Sequence, residues 1–162
     1  NQEEAMAIAD RVAVMRRGRV EQVGPPEEVY FNSVTPFEAR FIADANLLPG
    51  RLVNVVDGYG LAEVEGLGPV RVTHRGLTAG STVLVAVRPD SIRVGSGRYR
   101  GRVLDLSHLG HTLRLWVEVN GVKLRVDTEP VLGLKPGSDV DIELEEPLPA
   151  FEYTGGEVEI LE

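Results

Sequence analysis

Turn residues divide the sequence after residue 50 into short apolar stretches, with about 8–12 residues between turns, a spacing typical of all-β domains. The turns are expected at Asp57-Gly58, Gly80-Ser81, Asn120-Gly121 and Pro136-Gly137. The Asn-Gly pair between WVEV and VKLRV is the strongest hairpin signal among them. We expect strands over 51–56, 61–64, 69–74, 82–88, 91–94, 100–108, 112–119, 122–128, 139–145 and 157–161.

Four pairs of similar segments indicate an internal repeat within this region. The pairs are GRLVNV at 50–55 with GRVLDL at 101–106, VEG at 64–66 with VNG at 119–121, VRV at 70–72 with LRV at 124–126, and GLTAGSTV at 76–83 with GLKPGSDV at 133–140. Such a repeat indicates two related β units that pack together. Small barrels remove the edges that separate sheets would expose. The predicted fold class is therefore mainly β, with paired barrel units.

The first 46 residues show a different pattern, which predicts a helix, two strands and two further helices. Asn1 and Glu4 suit a capping box for the first helix, which we expect to end at Arg11. Strands over 12–15 and 19–23 flank a tight turn at Arg17-Gly18, and helices follow over 25–30 and from Thr35. An isolated hairpin is marginal in water, so this piece is expected to be a small α/β remnant of a larger domain. The join is placed at 46–50, which gives domains 1–46 and 47–162.

Composition excludes several classes of protein. Cysteine is absent, which removes disulfides and thiolate chemistry. The longest apolar runs, such as TVLVAV at 82–87, are too short to cross a bilayer, and no basic apolar leader is present, so we expect no direct membrane insertion. The formal net charge is −8, and the sequence from 139 onward holds acidic residues but no Lys or Arg. Such a surface repels phosphate backbones, so no nucleic acid is expected as a partner.

No set of residues forms a catalytic constellation, but two short segments are candidates for binding. His108 and His111 flank Gly110, a spacing that lacks a third metal ligand and favours a loop of contact residues. In the second segment, Pro89 fixes a turn that presents Arg88 and Asp90 together, and a salt bridge that holds this turn is the favoured explanation. The acidic residues at 139, 141, 143 and 145 alternate with apolar ones, which favours a strand with one buried face over a cation site.

Four segments of the sequence resemble those of one family of proteins. The stretch NQEEAMAIADRVAVMRRGRVEQVGPPEEVY resembles the last part of the nucleotide-binding domain of bacterial ABC importer ATPases, and FIADANLLPG resembles the passage into their C-terminal regulatory domain. VAVRPDSIRV and VLDLSHLG resemble two recurring segments of that domain, which is of the TOBE type. The resemblance implies a pair of OB-like (TOBE/MOP-like) β units after the α/β remnant, in an importer of the maltose, polyamine or iron type.

The resemblance also implies a role. In the family, the switch histidine stands just before the position of Asn1, and the phosphate loop, signature motif and catalytic glutamate lie further upstream. The fragment is therefore expected neither to bind nor to hydrolyse ATP, to hold no metal or cofactor, and to leave ATP and Mg²⁺ to the parent ATPase. Its expected partners are a second copy of itself and, through the ATPase core, the membrane subunits, at the cytoplasmic face of the cell membrane. Arg88, Asp90, His108, Leu109 and His111 are the expected dimer or regulatory contacts.

A ligand-sensing TOBE domain is the alternative. Oxyanion capture requires backbone amides together with Lys, Arg or Ser, and the sequence offers Ser81, Ser107 and Lys123 for this purpose. The acidic C-terminal region suits polyamines or metal cations better than oxyanions. Both alternatives stay open on the sequence alone.

Overall fold

The chain folds as two units that divide between Ala45 and Asn46. The structure is a computed structural model that describes residues 2–32, 35–36, 39 and 43–153. Asn1, most of the helix expected from Thr35 and the strand expected over 157–161 lie outside the described residues.

The first unit contains one helix, a hairpin and a second helix. Their bounds are α1 (Gln2–Ile8), β1 (Val12–Arg16), β2 (Arg19–Gly24) and α2 (Pro26–Phe31). Arg17 and Gly18 both have positive φ, at 51° and 77°, as the tight hairpin turn between twisted strands requires. Val14 and Val29 are buried together and form the small core of this unit. The expected end of α1 at Arg11 is wrong, because the backbone bends at Asp10-Arg11 to enter β1.

The second unit begins with a closed barrel of five strands. These are β3 (Asn46–Val56), β4 (Tyr59–Val64), β5 (Gly68–Thr73), β6 (Thr82–Val87) and, from much later in the chain, β11 (Leu148–Glu152). The strand order around the barrel is β11-β5-β4-β3-β6, and only the short β5–β11 pairing is parallel. This order is that of an OB-type Greek-key barrel.

An open sheet of four strands is inserted between β6 and β11. Its members are β7 (Ile92–Leu109), β8 (Thr112–Val119), β9 (Val122–Thr128) and β10 (Asp139–Leu144), in the order β10-β7-β8-β9. The repeat seen in the sequence maps onto both parts, since β3 to β6 correspond to the second half of β7 and to β8, β9 and β10. The fold class is thus confirmed, although only the first of the paired units closes within the described residues.

The two β units exchange their last strands. In the barrel, β6 pairs with β11, which follows β10 of the other unit. In the sheet, β10 pairs with residues 92–94 of β7, which follow β6 of the barrel. Each unit therefore borrows its fifth strand from the chain segment that leaves the other. One continuous apolar core runs through both, from Leu48 and Leu52 in the barrel to Val126 and Ile142 in the sheet.

The second barrel stays open between β9 and the start of β7. A side chain occupies part of this gap: Asn46 accepts a hydrogen bond from Arg125 N at 2.8 Å and donates to Arg125 O at 3.0 Å. The Asn46 amide therefore satisfies β9 at the position where a neighbouring strand would pair. A single 3₁₀ turn over Pro89–Ser91 also lies against β9.

Strand β7 has a bulge around Gly97, between the two segments of β7 that pair with β10. The register with β10 jumps from Asp141↔Arg100 to Ile142↔Val94, so residues 95–99 bulge out of the ladder. Gly97 has φ +145°, and a Cβ there would collide with the Ile142 carbonyl. Only glycine fits this close approach of two backbones.

The structure corrects three sequence expectations about the strands. The two strands expected at 91–94 and 100–108 are one strand, since the bulge at Gly97 does not end the pairing. The join expected at 46–50 is the first part of β3. Pro49 lies before Gly50, the first residue of β3 that pairs with β4, so the missing N–H of the proline removes no hydrogen bond between β3 and β4. Strand β11 was not expected, because Pro147 and Pro149 lower the strand signal of LPAFE.

Candidate functional site

The turn at Arg88–Asp90 is held by its own side chains. Arg88 Nε lies 3.4 Å from Asp90 Oδ1, and Ser91 Oγ donates to the Arg88 carbonyl at 2.8 Å. Pro89 begins the 3₁₀ turn and is buried. The salt bridge favoured by the sequence is confirmed, and Asp90 stays about half exposed, with 51% of its side chain accessible.

The segment His108–His111 forms the tip of the β7–β8 hairpin. Leu109 pairs with Thr112 and His108 with Leu113, so Gly110 and His111 make the two-residue turn. All four residues from His108 to His111 are exposed, and 50% of the Leu109 surface is accessible. The segment is thus an exposed hairpin turn, and its use as a contact stays a prediction.

The two candidate segments meet at one groove, which we call the 90/111 groove. It encloses ≈ 480 Å³ at the hairpin end of the open sheet, and Asp90 and His111 both line it. Its other lining residues come from the start of β7, the start of β8 and the end of β9: Ile92, Arg93, Val94, Ser96, Thr112, Asp127, Thr128 and Glu129. Arg88, His108 and Leu109 are not among its lining residues.

Carboxylates outnumber cations in the lining of this groove. The lining contains three carboxylates, those of Asp90, Asp127 and Glu129, and one cation, Arg93. Asp127 is already neutralised by Arg114, whose Nε and Nη2 donate to its two oxygens at 2.8 and 3.0 Å. The surplus negative charge therefore rests on the exposed Glu129 and on the outer part of Asp90. The lining suits a cation or a hydrogen-bond donor better than an anion.

A second groove lies where the barrel meets the open sheet. It encloses ≈ 360 Å³, and Leu48, Pro49, Val64 and Val122 give it a mostly apolar lining. The Asn120 side chain closes one side by donating to the Gly66 carbonyl at 2.8 Å. The groove contains only one charged lining residue, Glu65. Apart from Glu65 and Asn120, whose amide is engaged with Gly66, its lining holds no polar side chain that could orient a ligand.

The alternating carboxylates of β10 are paired with arginines. Arg100 lies 3.5 Å from Asp139 and 3.2 Å from Asp141, and Arg98 lies 3.4 Å from Glu143. The hydrogen bond to Asp141 and the negative charge of both aspartates raise the pKa of Arg100. Val140, Ile142 and Leu144 are buried, so the strand has the one buried face that the sequence favoured. Across the described residues, no group of three or more His, Asp or Glu side chains is arranged to hold a metal ion.

The residues considered for oxyanion capture are not gathered. Ser81 Oγ donates to the Thr78 carbonyl at 2.7 Å, within its own turn. Ser107 and Lys123 lie exposed on β7 and β9, and neither groove is lined by any of the three. The remaining histidine, His74, has a structural role. Its Nε2 donates to Tyr59 O at 3.2 Å, since a carbonyl can only accept, and its Nδ1 accepts from Leu77 N at 3.1 Å.

Sequence reasoning missed several residues of the 90/111 groove. Ser96 belongs to Gly95-Ser96-Gly97, which the sequence shows only as a glycine-rich stretch, and Arg93 and Glu129 carry no motif. The signal that brings Glu129 to His111 is the register of the β8–β9 hairpin, in which Leu113 lies opposite Thr128. The Asn120-Gly121 turn predicts that hairpin, so the neighbourhood was in principle deducible.

Comparison with known proteins finds one matching domain model and several similar proteins. Residues 85–147 match the model of the TOBE domain. The spermidine/putrescine import ATP-binding protein PotA of Thermotoga maritima is 33% identical over 130 residues, which are 74% of this chain and 35% of the relative. The Fe(3+) ions import ATP-binding protein FbpC of Rhizobium etli is 35% identical over 149 residues, which are 90% of this chain and 42% of the relative. This chain therefore spans about two fifths of the length of the curated relatives that it matches.

A solved structure supports the fold. The cytoplasmic molybdate-binding protein ModG, in a form with molybdate bound, superposes with a TM-score of 0.55 at 15% identity, over 61% of this chain and 89% of that one. At that identity the likeness extends to the fold alone. Within the part of the chain that the structure describes, no helix is both long and apolar enough to cross a membrane.

Proposed function

We propose that this chain, which carries a TOBE domain and is homologous to the C-terminal part of bacterial ABC importer ATP-binding subunits, is the regulatory and dimer-holding portion of such a subunit. The observation that carries the proposal is the match of most of the chain, from the first unit through the TOBE domain, to PotA and FbpC proteins. The parent is then an ATPase that drives solute import at the cytoplasmic face of the membrane. ATP and Mg²⁺ bind in the region of the parent that this chain does not match.

The architecture suits that role. An element that keeps two motor subunits together while their nucleotide ends open and close has to be rigid, and a single apolar core through a closed barrel and its attached sheet is a stiff body. Self-association also requires a patch that is complementary to itself. The 90/111 groove, with its exposed hairpin tip, is the position at which a regulator makes contact.

Self-association of the purified chain tests this proposal. Sedimentation equilibrium over a range of concentrations is expected to show a reversible monomer–dimer equilibrium. The melting temperature of a reversibly dimerising protein also rises with its concentration, so a dilution series of thermal melts is an independent measure. A chain that sediments as a monomer at every concentration and melts independently of concentration contradicts the dimer-holding role.

The 90/111 groove supports a second candidate function, the sensing of a small ligand. The relatives include importers of spermidine, putrescine and Fe(3+), and the fold neighbour binds molybdate. The carboxylates of the groove favour a cationic ligand over an oxyanion. Thermal melts with spermidine, putrescine, Fe³⁺, molybdate, sulfate and phosphate distinguish the candidates. A ligand at 100 times its dissociation constant adds about 2.7 kcal/mol of stability.

Matched variants locate any such ligand. If spermidine raises the melting temperature, the double substitution Asp90→Asn with Glu129→Gln is expected to remove the effect. Glu63→Gln, on the exposed outside of β4, is expected to retain it. If none of the six ligands raises the melting temperature, sensing of these ligands is refuted and the dimer-holding role is unaffected.

A further inference from the structure

The two β units differ at one seam. In the first barrel, β5 and β11 close the seam by pairing in parallel, with Val72 opposite Leu148. In the second unit the corresponding strands are β9 and residues 92–94 of β7, since 92–94 pair with β10 as β11 pairs with β6. Among the described residues, no strand pairing joins these two. We call the gap between residues 127–129 and residues 92–94 the open seam.

The backbone of Asp127 faces the open seam. Arg125 makes hydrogen bonds from its N–H and its C=O to the Asn46 side chain, so both groups point away from β8. In an antiparallel pair, the backbone groups point to the same side at every second residue. Asp127, two residues after Arg125, therefore directs its N–H and C=O toward the open seam. Lys123 directs its own pair to the same edge of β9, on the other side of Asn46.

This edge of β9 is available at one end only. No described strand pairs with it, and an unpaired strand edge is a template for another chain. The Asn46 amide occupies the position of Arg125 and blocks the middle of the edge. An added strand can therefore reach Asp127 but cannot continue along β9 to Lys123. The 90/111 groove lies at the accessible end, because both sides of the open seam line it.

The 90/111 groove has the dimensions of an extended segment. It encloses ≈ 480 Å³, within the range of about 300–1,000 Å³ of ligand sites. Residues 127–129 give its β9 side a length of about 10 Å at about 3.4 Å per residue, so three residues of an added strand fit beside them. Ile92 is buried, and Val94 and Thr112 are half-buried. The inner side of the groove therefore suits apolar side chains.

The charges around the groove favour a basic segment. Glu129 is exposed, and 51% of the Asp90 side chain is accessible beside its contact with Arg88. Arg93 is the one Lys or Arg among the described lining residues. The whole chain has a formal net charge of −8, which attracts cationic partners at longer range. Residues 154–162 contain three Glu and no Lys or Arg, so the end of this chain is a poor occupant.

We propose that the open seam is a docking site for an extended, basic peptide segment of a regulatory protein, which adds as a short strand to the end of β9. The proposal rests on the regulatory function proposed above. The segment pairs its backbone with Asp127, and its alternate side chains point to opposite sides. The basic ones lie toward Asp90 and Glu129, and the apolar ones lie toward Ile92 and Val94. Backbone pairing supplies the affinity, and the side chains select the segment.

The backbone of Asp127 separates a peptide from a small cation. Spermidine carries amines that can meet the carboxylates of the groove, but it has no carbonyl to accept from the Asp127 N–H. A peptide supplies both an acceptor and a donor at the spacing of a strand. Protection of the Asp127 amide is therefore the sign of strand addition, whereas a cation that binds the carboxylates leaves that amide exposed.

A short basic peptide tests the proposal. The probe is the acetylated and amidated pentapeptide Lys-Val-Lys-Val-Lys, added to the isotope-labelled chain in an NMR titration. At ten times its dissociation constant it occupies about nine tenths of the chains, so hydrogen exchange at Asp127 N–H is expected to slow about tenfold. The Lys123 amide, on the same edge beyond Asn46, is the internal control and is expected to exchange at an unchanged rate.

Three control ligands isolate the contribution of the backbone. The same pentapeptide with every backbone nitrogen methylated keeps its charge and side chains but loses its donors. The pentapeptide Glu-Val-Glu-Val-Glu keeps the donors but reverses the charge. Neither of these, nor spermidine, is expected to slow exchange at Asp127.

Matched variants test the charges. The double substitution Asp90→Asn with Glu129→Gln is expected to weaken binding of the basic pentapeptide about tenfold, since two accessible carboxylates are lost. Glu63→Gln, on the outside of β4, is expected to leave the affinity unchanged. Added salt is expected to weaken binding to the unmodified chain more than binding to the double variant.

The outcomes separate this site from the function on which it rests. Slower exchange at Asp127 that is lost with the methylated peptide supports strand addition. If the basic pentapeptide leaves the exchange at Asp127 unchanged while the chain dimerises in sedimentation, the docking site is overturned and the dimer-holding function stands. Protection of Asp127 before any peptide is added, if it is lost when residues 154–162 are removed, overturns the proposal in favour of the chain's own end. A monomeric chain that binds the peptide keeps the site and contradicts the dimer-holding function.

Discussion

Tyr99 shows how one residue of the core retains a poorly satisfied polar group. It lies at the β7 bulge with 7% of its surface exposed, and among the described residues its hydroxyl makes no hydrogen bond of good geometry, with only a weak one to the side chain of Arg98. The Arg98 guanidinium stacks 4.8 Å from the ring centre. Burial raises the pKa of the Tyr99 phenol above its ordinary value of 10.0, and the positive charge of Arg98 only partly opposes this.

We expect Tyr99→Phe to be neutral or stabilising by about 1 kcal/mol at pH 7, because it removes a buried hydroxyl that lacks a well-formed hydrogen bond. The pH dependence has a definite sign. A raised folded-state pKa gives stability that is complete below the ordinary value near pH 10 and is lost as the pH rises through the folded value. The phenylalanine variant is expected to lack this alkaline loss. Urea unfolding at pH 7 and pH 10.5 measures both effects.

Tyr59→Phe is the matched control for that experiment, since 60% of the Tyr59 surface is exposed. It is expected to change stability little at either pH. If Tyr99→Phe costs more than about 1 kcal/mol at pH 7, the hydroxyl has a partner that the structure does not contain.

At this scale the sequence predicted local pairs and missed distant ones. The Arg88–Asp90 contact spans three residues around a proline, so the sequence alone was enough to propose it. Asp90 and His111 come together only through the register of three strands, and Asn46 reaches Arg125 across 79 positions. Contacts of that kind depend on the strand order, which no local pattern contains.

At the scale of the element, Glu146 stabilises the crossing, which is the connection from β10 to β11. Only 11% of its side chain is exposed. It accepts from Arg71 N at 3.2 Å and Arg71 Nε at 3.3 Å on the barrel, and from Arg98 Nη2 at 2.5 Å at the β7 bulge. Burial acts to lower the pKa of Arg98, but the hydrogen bond to Glu146 and the nearby carboxylates raise it overall. One carboxylate thus ties the barrel, the bulge and the crossing together.

Glu146→Ala is expected to destabilise the chain by about 2–3 kcal/mol, because both arginines lose a nearly buried, charge-assisted partner. The neighbouring Glu145 is exposed, and Glu145→Ala provides the matched control with an expected change below about 0.5 kcal/mol. Chemical unfolding of both variants measures the difference. Equal effects would mean that the crossing is held by its apolar residues alone.

The strands show where element prediction succeeds and fails. β8 and β9 were predicted with their observed bounds, since an Asn-Gly turn and strict alternation specify a hairpin locally. The last barrel strand was missed because its pairing partners, β5 and β6, lie about 60 to 80 positions earlier and its own residues include Pro149. A strand that forms because distant strands pair with it, and not because of its own composition, gives only a weak strand signal in the sequence.

At the scale of the whole molecule, the two units differ in how much core they possess. The core cluster in the described part of the first unit is one apolar pair, Val14 with Val29, beside three buried alanines, whereas the second unit has a core continuous through barrel and sheet. Amide hydrogen exchange is expected to be faster in β1, β2 and α2 than in β5, β8 and β9. Exchange measured by mass spectrometry on peptides from both units tests this. Equal protection in the two units would contradict it.

The exchange of last strands has a consequence for how the chain is made. Residues 148–152 complete the barrel that residue 46 begins, so about a hundred residues have to leave the ribosome before the first barrel closes. Until then the growing chain carries β5 and β6 with unsatisfied edges, exposed to wrong partners. During synthesis the incomplete barrel is therefore exposed to aggregation. A truncated chain that lacks β11 cannot close the barrel, because β5 and β6 keep unpaired edges.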